Sequence, residues 1–387
     1  MANTVHRERP SYVCFAASAA ADPGDAVKEV AASVSGVEGC FALAFASGGR
    51  DIAAIAQALD DKLGGMPVFG CTSAGQITGG GYGTEGLLLL VFPKQHFRCA
   101  SVLIEPLTSV TNTSIAAEVQ RKSARFRHTA GWNRLGLVFA DGLSKQEDHL
   151  VATLEAVLGD LPVFGGSAGD TLQFEQAFVL HGGKAHSNAA VLLLLETDLP
   201  FTGIGFDHFL PAETQIVITD ADPDARKVFE INGASAALEY ARLVGCSVED
   251  LSPQVFAENP LLIEYRDHHY VRAISDADKE GALSFLAAID DGLVMRLGRG
   301  QEIIETLRSG LHIRDPHGNS PDFILGFDCV LRKLEIEQKQ LGTPVSDILA
   351  DERVFGFNTF GEQLGGIHMN QTFVGVAFFC PNERQPL

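Results

Sequence analysis

The chain lacks most of the features by which a sequence declares its function. No apolar run approaches the roughly 20 residues a membrane-spanning helix needs. The longest, at 87–92 and 189–195, are far shorter, so no helix is expected to cross a bilayer. There is no Gly-Lys-Ser/Thr phosphate loop, and no G-x-G-x-x-G that opens a helix. No H-E-x-x-H or H-x-x-x-H spacing occurs among the 12 histidines, which argues against a zinc site, and no metal is expected. The seven cysteines (Cys14, Cys40, Cys71, Cys99, Cys246, Cys329, Cys380) are odd in number and include no close pair, as in a reducing cytoplasm. Arg7 and Arg9 precede a short mixed run that soon meets Asp22 and Asp25, so a first strand is a better reading than a secretory leader. Positive charge is also scarce. A net charge of −20 repels phosphate backbones, and the one basic cluster, Arg121, Lys122, Arg125 and Arg127, reads as a solvated helix face, which excludes nucleic acid as a partner.

What the chain has is apolar residues and glycine. With 387 residues, 46% apolar content and 40 glycines it is a packed protein of two or three domains. Pro67-Val68-Phe69-Gly70 recurs as Pro162-Val163-Phe164-Gly165 at an offset of 95, and Ser73-Ala74-Gly75 as Ser167-Ala168-Gly169 at an offset of 94. In each copy an apolar strand runs into small residues that let backbone approach another segment or a ligand.

The elements before these copies also correspond. A strand at 41–46 and an amphipathic helix carrying Ile52, Ile55, Ala56, Leu59 and Leu63 precede the first. A strand at 135–140 and a helix with Leu150, Val151, Leu154, Val157 and Leu158, opened by Ser144 and Glu147 in capping-box spacing, precede the second. Residues 79–83 read as loop, and the alternation of Leu172, Phe174, Phe178 and Leu180 as a strand. The expected fold is therefore an internally duplicated α/β domain, residues 1–225, with halves at about 10–105 and 106–210. A smaller α+β domain with a mainly antiparallel sheet follows at 226–387.

Gly165-Gly166-Ser167-Ala168-Gly169 matches the nucleophile elbow of serine hydrolases, but that mechanism needs a helix after the serine and the pattern there is a strand's. A tight turn is the better reading. Cys71, at the end of a strand among small residues, is either a thiol activated by backbone amides or a buried small apolar group. A hydrolase or thiol enzyme using Ser167 or Cys71, with His368 as base, is the enzymatic alternative. The run from Gly361 to Thr372 sets Glu362, Gln363, His368 and Asn370 beside Gly365-Gly366, either as a ligand-facing loop or as a self-satisfied connection between strands.

Phe69 to Gly75, Gly165 to Asp170, Ile231-Asn232-Gly233 before a helix, and Gly361 to Gly366 with His368, Asn370 and Thr372 together resemble the FIST (F-box and intracellular signal transduction) family over roughly residues 30–380. The resemblance implies cytoplasmic small-ligand sensing rather than catalysis. The ligand would lie among Cys71, Ser73, Gly75, Gly165, Gly166, Ser167, Asp170, Glu362, Gly366, His368 and Asn370. Some stand-alone members are haem proteins that sense nitric oxide and act on a partner histidine kinase. That makes non-covalent haem b an expected cofactor, with His181 and His368 as candidate ligands, and a signalling protein the expected partner. A scaffold that binds no ligand is the remaining alternative.

Overall fold

The structure is a computed structural model that describes residues 12–83, 86–109, 111–265 and 268–381. One structural unit occurs three times. The first copy runs β1 (Cys14–Ser18), α1 (Pro23–Ser33), β2 (Gly39–Ser47), α2 (Ile52–Lys62), β3 (Val68–Ser73), the hairpin β4 (Gln76–Thr78) and β5 (Gly81–Gly83), and β6 (Leu87–Pro93). The second runs β7 (Phe97–Ile104), α3 (Asn112–Arg125), β8 (Asn133–Asp141), α4 (Glu147–Leu158), β9 (Val163–Ala168), the hairpin β10 (Val179–His181) and β11 (Lys184–His186), and β12 (Ala190–Thr197). The third opens with β13 (Phe201–Phe206) and is then interrupted by an insertion, residues 209–300, holding β14 to β21, α5 (Ala236–Val244) and α6 (Pro253–Glu258). It resumes with α7 (Ile303–Leu311), β22 (Phe323–Cys329), α8 (Val330–Gln338), α9 (Gly342–Asp351), β23 (Val354–Thr359), the hairpin β24 (Glu362–Leu364) and β25 (Ile367–Met369), and β26 (Phe373–Phe378).

Each unit makes four strands of its own six-stranded sheet and gives its hairpin to a neighbour. The sheet orders are β1-β6-β2-β3-β10-β11, β7-β12-β8-β9-β24-β25 and β13-β26-β22-β23-β4-β5. The first unit's hairpin therefore completes the third sheet, the second's completes the first, and the third's completes the second. The register is the same each time: Val179 opposes Cys71, Glu362 opposes Gly166, and Gln76 opposes Phe357. The result is a closed ring of three sheets.

Large and small residues alternate along the central strands, which explains how one strand serves two layers. Phe41, Leu43 and Phe45 on β2, Leu135, Leu137 and Phe139 on β8, and Phe323, Leu325 and Phe327 on β22 all enter one shared aromatic core. Phe139 stands 5.7 Å from Phe45 and 6.1 Å from Phe327 between ring centroids, so the three sheets meet there. On the opposite faces Ala42, Ala44 and Ala46 let α1 and α2 lie close. Helices α3 and α4 cover the second sheet, and α7, α8 and α9 cover the third.

The motif glycine of each unit is dictated by backbone. A Cβ on Gly70, Gly165 or Gly356 would lie 2.0, 1.9 or 1.8 Å from the carbonyl oxygen of Ala44, Val138 or Gly326 on the paired parallel strand. The insertion forms an eight-stranded, wholly antiparallel sheet around its own core of Ile216, Ile218, Val228, Leu261, Leu283 and Met295. The expected mixed α/β fold, with an antiparallel sheet in the C-terminal part, is what the structure shows.

Several local expectations need correction. The duplication does not stop near residue 200: Val354-Phe355-Gly356 is the motif of a third copy, separated from that copy's first strand by the insertion. Residues 79–83 are not all loop, since Gly81–Gly83 is a strand of the donated hairpin. Ser144 does not cap α4. Its hydroxyl donates to the Asp141 carbonyl, and Gln146 is the cap residue without a side-chain bond. Residues 172–178 are not a strand, because Leu172 and Phe174 take positive φ and only Val179–His181 is extended and paired.

Candidate functional site

The motif turns converge through backbone bonds that repeat around the ring. The amide nitrogens of Thr72, Ser167 and Asn358 donate to the carbonyls of Phe178, Gly361 and Gly75, respectively. Their own carbonyls accept from the nitrogens of Gly169, Phe360 and Ala74. Ser167 thus stands where Thr72 and Asn358 stand, at a constant offset of 95 from the first copy. Phe178, immediately before its hairpin, stands where Gly75 and Gly361 stand, while Asp170 shares only the sequence offset with Gly75 and opens an extra turn. The 94-residue correspondence of Ser73 with Ser167 is a coincidence of composition.

Asp170, 4% exposed, fills its position with a carboxylate that accepts from the backbone nitrogens of Gln173, Phe174, Glu175 and Gln176 at 2.8–3.2 Å. It is the staple of the 171–176 turn. Ser73 donates to the Ala46 carbonyl and accepts from Gln76 Nε2, a closed arrangement. Cys71 is sealed in the central core, and burial pushes its thiol well above the ordinary range, the reverse of activation. Gly75 faces Lys333 Nζ and Asn358, Gly166 faces Thr359 and Phe357, and Gly366 faces the Glu155 carboxylate.

The structure brings Ser167, Glu362, His368 and Asn370 together around Gly361. The segment carrying the last three is a buried hairpin on the second sheet, not an exposed loop. Glu362 is fully buried. One carboxyl oxygen pairs with the Thr359 hydroxyl, while the other accepts from the Thr372 nitrogen at 3.1 Å and its hydroxyl at 2.6 Å. Burial pushes this carboxyl up to about 8, so at neutral pH it is a neutral acid. Gln363 Nε2 donates to Ser167 Oγ at 2.7 Å and lies 3.5 Å from His368 Nδ1. An amide therefore separates Ser167 from the imidazole, and an amide N–H cannot relay a proton as a triad base does.

His368 is 1% exposed, and burial pushes its imidazole down to about 4, keeping it neutral. Its ring and the Asn370 amide lie over Gly361. A Cβ there would sit 2.8 Å from His368 Nε2 and 3.1 Å from Asn370 Nδ2, so only glycine admits both. Asn370 Nδ2 donates to the Phe360 carbonyl at 3.3 Å. The insertion closes the other side. Arg272, the last residue of β18 (His268–Arg272), donates from Nη1 to the His368 carbonyl at 3.2 Å. Arg226 binds Glu147 at 2.8 Å, Asp148 at 3.2 Å and the Leu286 carbonyl, joining the insertion to the second unit.

Five of the ten buried polar atoms left without a partner among the described residues belong to this junction. Gln363 Oε1, His368 Nε2, Asn370 Oδ1, Gln371 Oε1 and Arg272 Nε are all buried without a hydrogen bond of ordinary geometry. Such groups are rare because each carries a desolvation penalty of about 1–3 kcal/mol. Nothing in the sequence marks Arg272 or Arg226, whose relation to the hairpin exists only in the folded chain.

His181 lies elsewhere, on the hairpin that completes the first sheet, with Nε2 3.0 Å from Ser101 Oγ and its ring beside Phe69 and His186. As placed, neither candidate fits a haem: His181 Nε2 is engaged by Ser101, and His368 is closed over Gly361. No step is derived through that group. Among the described residues no group of three or more His, Cys, Asp or Glu side chains could hold a metal ion, and no helix is long and apolar enough to cross a membrane.

Comparison with known proteins identifies two family domains in the chain. The FIST N domain profile matches residues 40–234 and the FIST C domain profile residues 236–364. The chain is also similar to the uncharacterized protein MJ1623 of Methanocaldococcus jannaschii, 20% identical over 348 residues that span 80% of this chain and 67% of that one.

Proposed function

The chain belongs to the FIST family of signal-transduction sensor domains, and from that premise we propose that it senses a small polar ligand held between the β24–β25 hairpin and the inserted sheet. One observation carries the reading: of the ten buried side-chain atoms without a hydrogen-bond partner among the described residues, five belong to Gln363, His368, Asn370, Gln371 and Arg272, where the third unit meets the insertion. A ligand that pairs with them recovers their desolvation penalty, and it acts only on the state in which hairpin and insertion are closed together. The bound state is then read by a separate signalling protein in the cytoplasm, a histidine kinase being the class the family resemblance implies.

The test is a thermal-shift and calorimetric screen of small polar metabolites. Compounds that stabilise the protein and lose their effect in Asn370→Ala and Gln363→Ala, both checked for folding by circular dichroism, support the reading. Compounds that bind both variants as they bind the parent place the ligand elsewhere and overturn it.

A further inference from the structure

We infer that the ligand carries a small oxyanion which docks on Arg272, with His368 as the second donor. The inference rests on the sensor reading above and adds the charge of the ligand.

Arg272 is a cation without an anion. Its Nε is buried and unpaired, its one hydrogen bond goes to the His368 carbonyl, and no described carboxylate lies within ion-pair distance of it. The acids at this junction serve another residue: Glu147 and Asp148 both bind Arg226. Asp148 reaches Arg272 only as a longer-range attraction, which Arg226 opposes, and burial pushes the guanidinium below its ordinary range. The residue as a whole is half-buried, but its Nε is sealed from water, and a guanidinium held in this way is stabilised by an anionic partner.

The hydrogen inventory gives the rest of the ligand's shape. Gln363 Nε2 can only donate, so His368 Nδ1 faces it as the acceptor, and the neutral ring carries its hydrogen on Nε2. Arg272 Nε–H is then a donor lacking an acceptor, and His368 Nε2–H is a donor whose neighbouring acceptor, the Leu286 carbonyl, lies outside ordinary hydrogen-bond geometry. Gln363 Oε1 and Asn370 Oδ1 are two acceptors lacking a donor. An oxyanion matches the first pair, and a hydroxyl or N–H group on the same molecule matches the second. The close approach of His368 and Asn370 at Gly361 keeps that molecule small. Carboxylate and phosphate share the oxyanion chemistry, and the probes below separate them.

The experiment uses the full chain at fixed ionic strength with glycolate, acetate, glycolamide and inorganic phosphate as probes, read by thermal shift and titration calorimetry. Glycolate is expected to stabilise saturably and more than acetate, and the neutral isostere glycolamide not at all. Phosphate exceeding glycolate assigns the oxyanion as a phosphate. In Arg272→Gln the affinity falls roughly tenfold or more, as for loss of a charged hydrogen bond, and Arg272→Lys retains part of it. The proposal is overturned if glycolamide matches glycolate, if Arg272→Gln binds as the parent does, or if none of the anions binds at millimolar concentration. A neutral compound that still binds a folded Arg272→Gln protein through Asn370 would refute the oxyanion and leave the sensor reading standing.

Discussion

Glu362 gives the most direct test of how the donated hairpin is held. Its carboxyl is fully buried, is bonded by Thr359 and Thr372, and stays protonated in the folded chain up to about pH 8, against an ordinary value of 4.5. Between those two values the folded chain holds a proton that the unfolded chain has released, so stability falls as pH rises through the interval. The slope from one such group is about 1.4 kcal/mol per pH unit, which amounts to about 2–3 kcal/mol between about pH 5.5 and about pH 7.5. Glu362→Gln keeps the shape. Its carbonyl accepts from Thr372 as before, its amide donates to Thr359 as the acid proton would, and it cannot ionise. The assay is urea denaturation of the parent and the variant at both pH values. Glu147, whose carboxyl burial raises to about 7, tilts both proteins alike and cancels in the comparison. The variant is expected to gain about 2–3 kcal/mol on the parent between the acidic and the neutral measurement. A pH-independent difference, or a parent that gains on the variant as pH rises, would mean that Glu362 is ionised in the fold and would refute the argument.

Replacing Gly165 by alanine drives a methyl group toward the Val138 carbonyl and is expected to lower stability by about 3 kcal/mol or more, and likewise Gly356→Ala against Gly326. Gly318→Ala, at positive φ but with nothing near its Cβ, should lose only about 1 kcal/mol; equal losses at all three in thermal melts would contradict the close-approach argument. His368 works on the acid side: its value falls from 6.5 to about 4 on folding, so its contribution is complete above pH 6.5 and is lost as pH falls toward 4. His368→Gln should flatten that limb by about 3 kcal/mol in acid titrations followed by circular dichroism, and an unchanged limb would show that the imidazole is not held neutral. With His181 engaged by Ser101 and His368 closed over Gly361, protein produced with added haem is expected to show no Soret band that moves on adding nitric oxide. A shifting band that vanishes in His368→Ala or His181→Ala would reverse that expectation.

How far the sequence could be read depended on how local each signal was. The two copies of Val-Phe-Gly were legible because strand, helix and turn follow one another within about 95 residues. The third copy carries the same three residues at Val354-Phe355-Gly356, but the insertion of 209–300 separates them from β13, and Arg353 stands where the other copies have proline. A constant period cannot detect a repeat that has been split. The glycines were legible as places of close approach, but the partner was not: for Gly165 it is the neighbouring strand's carbonyl, and for Gly361 it is a pair of polar side chains. Glu362, His368 and Asn370 stood out because polar residues among glycines are unusual in a buried strand pair. Their burial was hidden, because a hairpin donated to another unit's sheet leaves no trace in its own local pattern.

That donation bears on how a sensor of this shape transmits. A hairpin inside its own sheet is held by its sequence neighbours, and a ligand touching it competes with a whole domain's packing. Here the β24–β25 hairpin meets the second unit through three residue pairs with β9, the bond between Ser167 and Gln363, and the Ser167 backbone bonds to Gly361 and Phe360. Its polar edge faces an insertion that is bound to the second unit by Arg226 and to the hairpin by Arg272. Three bodies thus share one small junction whose hydrogen bonding is incomplete. A ligand that completes it gains affinity only when all three are in register, and that difference in affinity between open and closed arrangements is the free energy available for signalling. The two other hairpins, β4–β5 and β10–β11, are donated in the same way; the third lies against both the insertion and a neighbouring unit beside the buried unpaired atoms of His368, Asn370 and Arg272, which is the physical reason for proposing sensing there.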